Sequence, residues 1–204
     1  MPSPFDRDAA ADAIVRFLKA LGKEPEGALA NTPELVAEAW CRDLLEGEGV
    51  DAEALLAAEA IDAPSSGSTT VALTGLSVTS VCPHHLLPSH GTADVVYLPG
   101  TRVAGFGAIS RALRALTRRL TLQEEAGQAM ADVLVDALGA KGALCRMRLV
   151  HSCLVARGAR EVGAAVQTLS LAGTFAEPGP DRDLALSAIA SAHARSTVSS
   201  GSEP

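Results

Sequence analysis

Between residues 4 and 22 the apolar positions Ala13, Ile14, Phe17, Leu18 and Leu21 recur at helical spacing, and Gly22 is a natural stop. A second helix opens at Asn31-Thr32-Pro33-Glu34. Thr32 can cap it, Pro33 suits its first turn, and Leu35, Val36, Ala39 and Trp40 form its apolar side. A third helix is expected from about Asp51 to Ala60, and Pro64-Ser-Ser-Gly-Ser reads as a turn or short linker. From Thr69 to Val81 the chain becomes rich in β-branched residues and alternates in part, which predicts a strand. Gly91 to Leu98 predicts a second strand, ended by Pro99-Gly100.

Helical spacing then returns. Ile109, Leu113, Leu116 and Leu120 mark one helix; Met130, Val133, Leu134, Ala137 and Leu138 mark another, from Leu122 to Leu138, ended by Gly139 and Gly142. Gln123 and Glu124 fall in its first turn, where a carboxylate suits the helix dipole. Alternation from Ala143 to Val150 predicts a strand leading into His151, and Gly163 to Ala172 predicts a last strand. Residues 181–193 fit a helix, and the Ser-rich tail to Pro204 is expected to be disordered. This order predicts an α+β fold with a mainly antiparallel sheet and helices on one face.

Composition narrows the class. Apolar residues make up 48% of the 204 positions and aromatics 3%, so the core must be built from Ala, Leu and Val. No apolar run reaches the roughly 18 residues of a membrane span. Met1-Pro-Ser-Pro-Phe-Asp-Arg-Asp lacks the basic start and apolar stretch of a secretory signal, and four scattered cysteines suit a reducing compartment, so a cytoplasmic location is expected. A net charge of −7 argues against nucleic acid as a partner. The charge is uneven: residues 101–160 hold ten Lys and Arg against four Asp and Glu, a net of +6, leaving −13 for the rest. A basic sector in an acidic protein suggests a small anionic substrate. Arg114, Arg118 and Arg119 are expected to solvate a helix face instead.

The candidate chemistry lies in Cys82-Pro-His84-His85 and, far downstream, His151-Ser-Cys153. Cys82, His85 and Cys153 are the thiolate and imidazole groups zinc prefers, and three protein ligands leave a fourth position for water. His84 and His151 sit beside them in sequence, suited to moving protons. Spacing alone leaves other readings open: a structural metal completed by His151, Cys145 or Cys41, or cysteines buried as small apolar residues.

Several motifs together resemble the GTP cyclohydrolase I family. They are Cys82-Pro-His-His-Leu-Leu-Pro, Gly91, Val95-Val96-Tyr97-Leu98-Pro99, Arg118-Arg119-Leu-Thr-Leu-Gln123-Glu124, and His151-Ser-Cys153-Leu-Val-Ala-Arg157-Gly158, in order over residues 30–175. The resemblance implies a tunnelling fold (T-fold), in which small sheets from several subunits close a barrel, and a homodecamer with sites between subunits. It implies zinc on Cys82, His85 and Cys153, and opening of the guanine imidazole ring of GTP at C8, with formate released and the remainder reclosed as 7,8-dihydroneopterin triphosphate. His151 would donate a proton to the purine and His84 would shuttle protons near the ribose. Glu124 would accept from the guanine N–H groups, Gln123 would help fix the base, and Arg111 and Arg157 would bind phosphate. The expected division is a helical region at 1–62, the catalytic domain at 63–176 and a tail at 177–204.

The chain also departs from the family. A usual Ser-Lys pair is replaced by Gly107-Ala108, and basic positions after Thr-Pro read Leu35 and Glu38. Pro83 stands where Glu is common. The groups that would grip a triphosphate are depleted, and each charge-assisted bond contributes about 1.5–3 kcal/mol. Alternatives are therefore the same ring opening on GMP, guanosine or a related purine, or a non-catalytic assembly that binds a pterin or nucleotide. A pterin synthase or nitrile reductase of the same fold would lack this Cys/His combination.

Overall fold

The computed structural model describes residues 5–64 and 69–199. The turn expected at Pro64–Ser68 therefore falls largely outside them, as does the end of the tail. The chain folds in the order α1 (Arg7–Ala20), α2 (Thr32–Glu38), a π-helical turn (Ala39–Leu44), α3 (Ala52–Ala58), β1 (Ala60–Asp62), β2 (Val71–Val81), β3 (Pro88–Leu98), β4 (Arg102–Ala104), α4 (Phe106–Thr117), α5 (Gln123–Leu138), β5 (Gly142–His151), α6 (Ser152–Val155), β6 (Val166–Gly173) and α7 (Pro180–Ser199). Asp6 and Asp51 cap α1 and α3, each accepting a backbone N–H at 2.9 Å. Thr32 begins α2 from inside, and Asn31 occupies the cap position without a side-chain bond.

Four strands form an antiparallel sheet in the order β2-β3-β5-β6, and β1 pairs with β4 in a separate ribbon. This is the α+β, antiparallel architecture that the alternation of periods predicts. A bulge between Leu73 and Leu76 bends β2. Gly75 supplies the positive φ of 73° there, and its N–H donates to Asp94 at 3.0 Å.

Strand alternation divides the sheet into two faces. On one, Ala93, Val95 and Tyr97 of β3 and Ala143, Cys145, Met147 and Leu149 of β5 pack against α3, α4 and α5 through Leu56, Ile109, Leu113, Met130 and Leu134. Among the described residues only Tyr97 and Phe175 are fully buried aromatics, and Phe175 lies on the other face, so aliphatic side chains fill most of this layer. Burying each Leu or Ile contributes about 1.5–3 kcal/mol.

The opposite face is covered too. There Val96, Leu98 and Leu144 meet Phe175 and, from α7, Ala185 and Ile189. The expectation of helices on one face thus describes α3–α5, while α7 adds a layer on the other. The expected disordered tail is helical through Ser199. A helix already nucleated and anchored by Ala185 and Ile189 adds further residues at little cost, even through the Ser-containing stretch that follows. His193 of α7 lies 3.1 Å from both oxygens of Asp94, a buried carboxylate that also receives Arg146 at 2.6 Å.

Arg114, Arg118 and Arg119 do more than solvate α4. Arg114 donates to Glu46 at 2.5 Å, Arg118 to the carbonyl of Asp43 at 2.6 Å, and Arg119 to the carbonyls of Ala115 and Val50. They fasten the N-terminal helical segment to α4, because residues 43–50 present carboxylates and free carbonyls where α4 ends. No helix among the described residues is long and apolar enough to cross a membrane.

Candidate metal centre and active site

The first ligand loop joins β2 to β3. The Cys82 N–H donates to the Leu87 carbonyl at 3.0 Å, and the Leu86 N–H donates to the Cys82 carbonyl at 2.9 Å, closing a tight turn. Leu86 adopts a left-handed φ of 53°, a conformation costing on the order of 1 kcal/mol that bonds on either side must hold. The turn carries Cys82 at its start, His85 within it and Pro88 at its exit, where β3 already begins.

Register delivers the third candidate ligand. β3 and β5 run antiparallel with Ser89 opposite His151. The loop just before β3 and the turn just after β5 therefore meet at the same edge, which brings Cys153 to Cys82 and His85. Gly91, opposite Leu149, permits this close approach: a Cβ there would lie 2.1 Å from the Arg148 carbonyl oxygen.

The ligand atoms of Cys82, His85 and Cys153 all lie within 4.8 Å of one another, and Cys82 Sγ is 3.7 Å from His85 Nδ1. Zinc bonded to sulfur and nitrogen at its usual lengths separates two tetrahedral ligands by about 3.6 Å, so this donor set fits zinc with an open position. Burial raises the Cys153 thiol pKa, and the nearby Cys82 raises it further; Arg157 works in the opposite direction. All four cysteines are free. Cys145 is fully buried in the sheet core, which removes it as a ligand.

His84 stands outside the triad, with Nδ1 3.9 Å from Cys82 Sγ and its ring edge-on to that of His85 at 6.3 Å. It is exposed, as is Glu124. Burial pushes the imidazole of His151 below the usual histidine range, while the carboxylate of Glu124 acts to raise it, so the two side chains are neighbours.

His151 is held at both nitrogens: Nδ1 lies 2.8 Å from Ser89 Oγ, and Nε2 lies 2.8 Å from Gln123 Oε1. Gln123 is buried, and its amide nitrogen donates to the carbonyls of Met147 and Val166 and to Thr168 Oγ1. Its amide is thus spent within the chain. Ser89 is the site residue that sequence reasoning missed. Nothing near it in sequence marks it, and only the register sets it against His151.

The arginines differ in setting. Arg157 is exposed and near Cys153. Arg111 on α4 is ion-paired with Glu59. A cavity of about 960 Å³ lined by Val71, Tyr97, Gly105, Phe106 and Lys141 opens at the opposite end of the sheet and contains none of the candidate ligands.

Comparison with known proteins agrees with this geometry. The model of the family described as GTP cyclohydrolase I matches residues 10–190. The GTP cyclohydrolase 1 of Leifsonia xyli is 40% identical over 181 residues, covering 88% of this chain and 94% of that protein. Those of Deinococcus radiodurans and Streptococcus pyogenes serotype M49 are 33% and 34% identical, covering 93% and 90% of this chain and 87% and 93% of theirs. The match spans the helical N-terminus, both ligand segments and most of α7, and on that evidence the chain belongs to the GTP cyclohydrolase I family.

Proposed function

We propose that the protein is a zinc-dependent cyclohydrolase that opens the imidazole ring of GTP at C8, releases formate and recloses the product as 7,8-dihydroneopterin triphosphate. One observation carries this reading. Two cysteines and a histidine from distant segments converge to within 4.8 Å, beside a histidine clamped at both nitrogens, in a chain of this family. Cys82, His85 and Cys153 would hold zinc, which as a Lewis acid makes water nucleophilic near neutral pH.

The remaining roles fall to the chain's own groups. His151 carries a proton to the purine nitrogen, and exposed His84 passes protons beside the ribose. Glu124 accepts from the guanine N–H groups, a polar match that adenine cannot make. Gln123 helps fix the base by way of His151, since its amide nitrogen is spent on Met147, Val166 and Thr168 and its oxygen meets the imidazole. Arg157 and Arg111 bind phosphate.

The protein would work in the cytoplasm as a homo-oligomer, with residues 63–176 as the catalytic T-fold unit and sites completed between subunits, as in the homodecamer that the resemblance implies. The free thiols suit a reducing compartment.

A second reading keeps the ring chemistry but shortens the substrate's tail. It is favoured by Arg111, which is engaged by Glu59, and by the adjoining Gly107-Ala108, which offers no charge. The deciding experiment incubates the zinc-loaded protein with GTP, GMP and guanosine and measures formate. Formate from GTP supports the first reading, and formate mainly from GMP or guanosine supports the second. No formate from any of the three overturns both.

A further inference from the structure

Ser89 is fully buried at the start of β3, directly opposite His151 on β5. Its Oγ lies 2.8 Å from His151 Nδ1. The direction of that bond follows from the other side of the ring. Gln123 faces two carbonyls, of Met147 and Val166, which can only accept. Its NH₂ must therefore point toward them, which leaves Oε1 facing His151 Nε2 at 2.8 Å. That oxygen also can only accept, so Nε2 carries a hydrogen. In the neutral ring the lone pair is then on Nδ1, and the Ser89 hydroxyl donates to it.

We propose that Ser89 is a positioning residue that, together with Gln123, fixes the ring plane and the Nε2–H tautomer of His151. The inference rests on the reading of His151 as the proton carrier, but its geometric content stands apart from it. A hydroxyl is the smallest group that can satisfy Nδ1 in this buried place. An aliphatic side chain would leave that nitrogen without a partner, free the ring to rotate and let the proton move to the other nitrogen. A proton delivered from a ring held about 1 Å out of place costs on the order of 100-fold in rate.

The test uses full-length, zinc-loaded protein labelled with 15N-histidine, studied by solid-state NMR at pH 8.5, where the ring is neutral. His151 is assigned by its absence in His151→Gln. The expected wild-type spectrum has a protonated Nε2 and a bare, hydrogen-bonded Nδ1. Ser89→Ala should lose that signature or split it between tautomers, and Ser89→Thr should restore it. In parallel, kcat for formate release should fall about 10- to 100-fold in Ser89→Ala, with KM and zinc content unchanged and with recovery in Ser89→Thr. A wild-type His151 protonated on Nδ1 overturns the proposal, as does a Ser89→Ala protein with the wild-type spectrum and kcat. If the wild-type protein forms no formate, the proposed function falls, and the NMR arm still decides what Ser89 does. If Ser89→Ala does not fold, the wild-type spectrum and Ser89→Thr decide it.

Discussion

The amide oxygen of Gln123 lies 2.8 Å from His151 Nε2, and the nitrogen of the same amide bridges β5 and β6 through Met147, Val166 and Thr168. One side chain from the first turn of α5 thus ties the sheet to the candidate proton carrier. Replacing Gln123 with Ala should remove the bonds its amide nitrogen donates to β5 and β6, two of them to carbonyls, and cost about 1–3 kcal/mol, read by denaturant unfolding. Turnover should fall more than that loss explains. Gln123→Glu should not rescue it, because a carboxylate cannot donate to those carbonyls. Wild-type stability in Gln123→Ala would remove this bridge from the account.

The convergence of Cys82, His85 and Cys153 predicts a split between metal and chemistry. Cys153→Ser and Cys82→Ser should lose both zinc and turnover. His84→Ala and His151→Ala should keep zinc by metal analysis while losing turnover, general acid–base groups being worth about 100- to 10,000-fold. A chelator should abolish activity, and added zinc should restore it. Full activity in a zinc-depleted Cys153→Ser protein would refute the centre.

Asp94 is buried and receives Arg146, the Gly75 N–H and His193. Its removal should cost roughly 3 kcal/mol, because it leaves the Arg146 guanidinium without its anion. Asp94→Ala should also loosen α7, seen as faster amide exchange around Ala185 and Ile189. A loss in α7 alone, with the sheet unaffected, would mean that Arg146 finds another partner.

Cys145 predicts an alkaline limit. Burial, and then the charge of Asp94, push its thiol from 9.0 up to about 12. The folded state therefore binds this proton more tightly than the unfolded state. Stability from this group is fully present below pH 9.0 and is lost as pH rises from there toward about 12. Cys145→Val, which has no proton to lose, should flatten that decline in denaturant midpoints measured between pH 8 and 11. An unchanged slope would show that other groups set the limit.

Cys82-x-x-His85 was legible as a candidate ligand pair because turn geometry is local: the spacing alone puts both side chains on one loop. The four strands of the main sheet and the longer helices were legible for the same reason, since periods of two and 3.6 are written in neighbouring residues, whereas the short β1, β4 and α6 carry too few residues to show a period. The start of β3 and the end of α7 were not. Pro88 tolerates a strand's first position but does not signal it, and α7 owes its length to Ala185 and Ile189 finding Val96 and Leu144 on a sheet face that the sequence did not mark as covered.

What the sequence determined by itself was the class of fold, a Cys/His set able to hold a metal and, through its motifs, the family. What only the tertiary structure decided was who meets whom across strands and helices. Ser89 against His151, Gln123 turned inward to hold that ring, Arg111 taken by Glu59, and Arg114 and Arg119 fastened to residues 43–50 are all contacts between distant positions. Such contacts follow from register and packing, and a shift of one residue in the β3–β5 pairing would turn Ser89 to the other face.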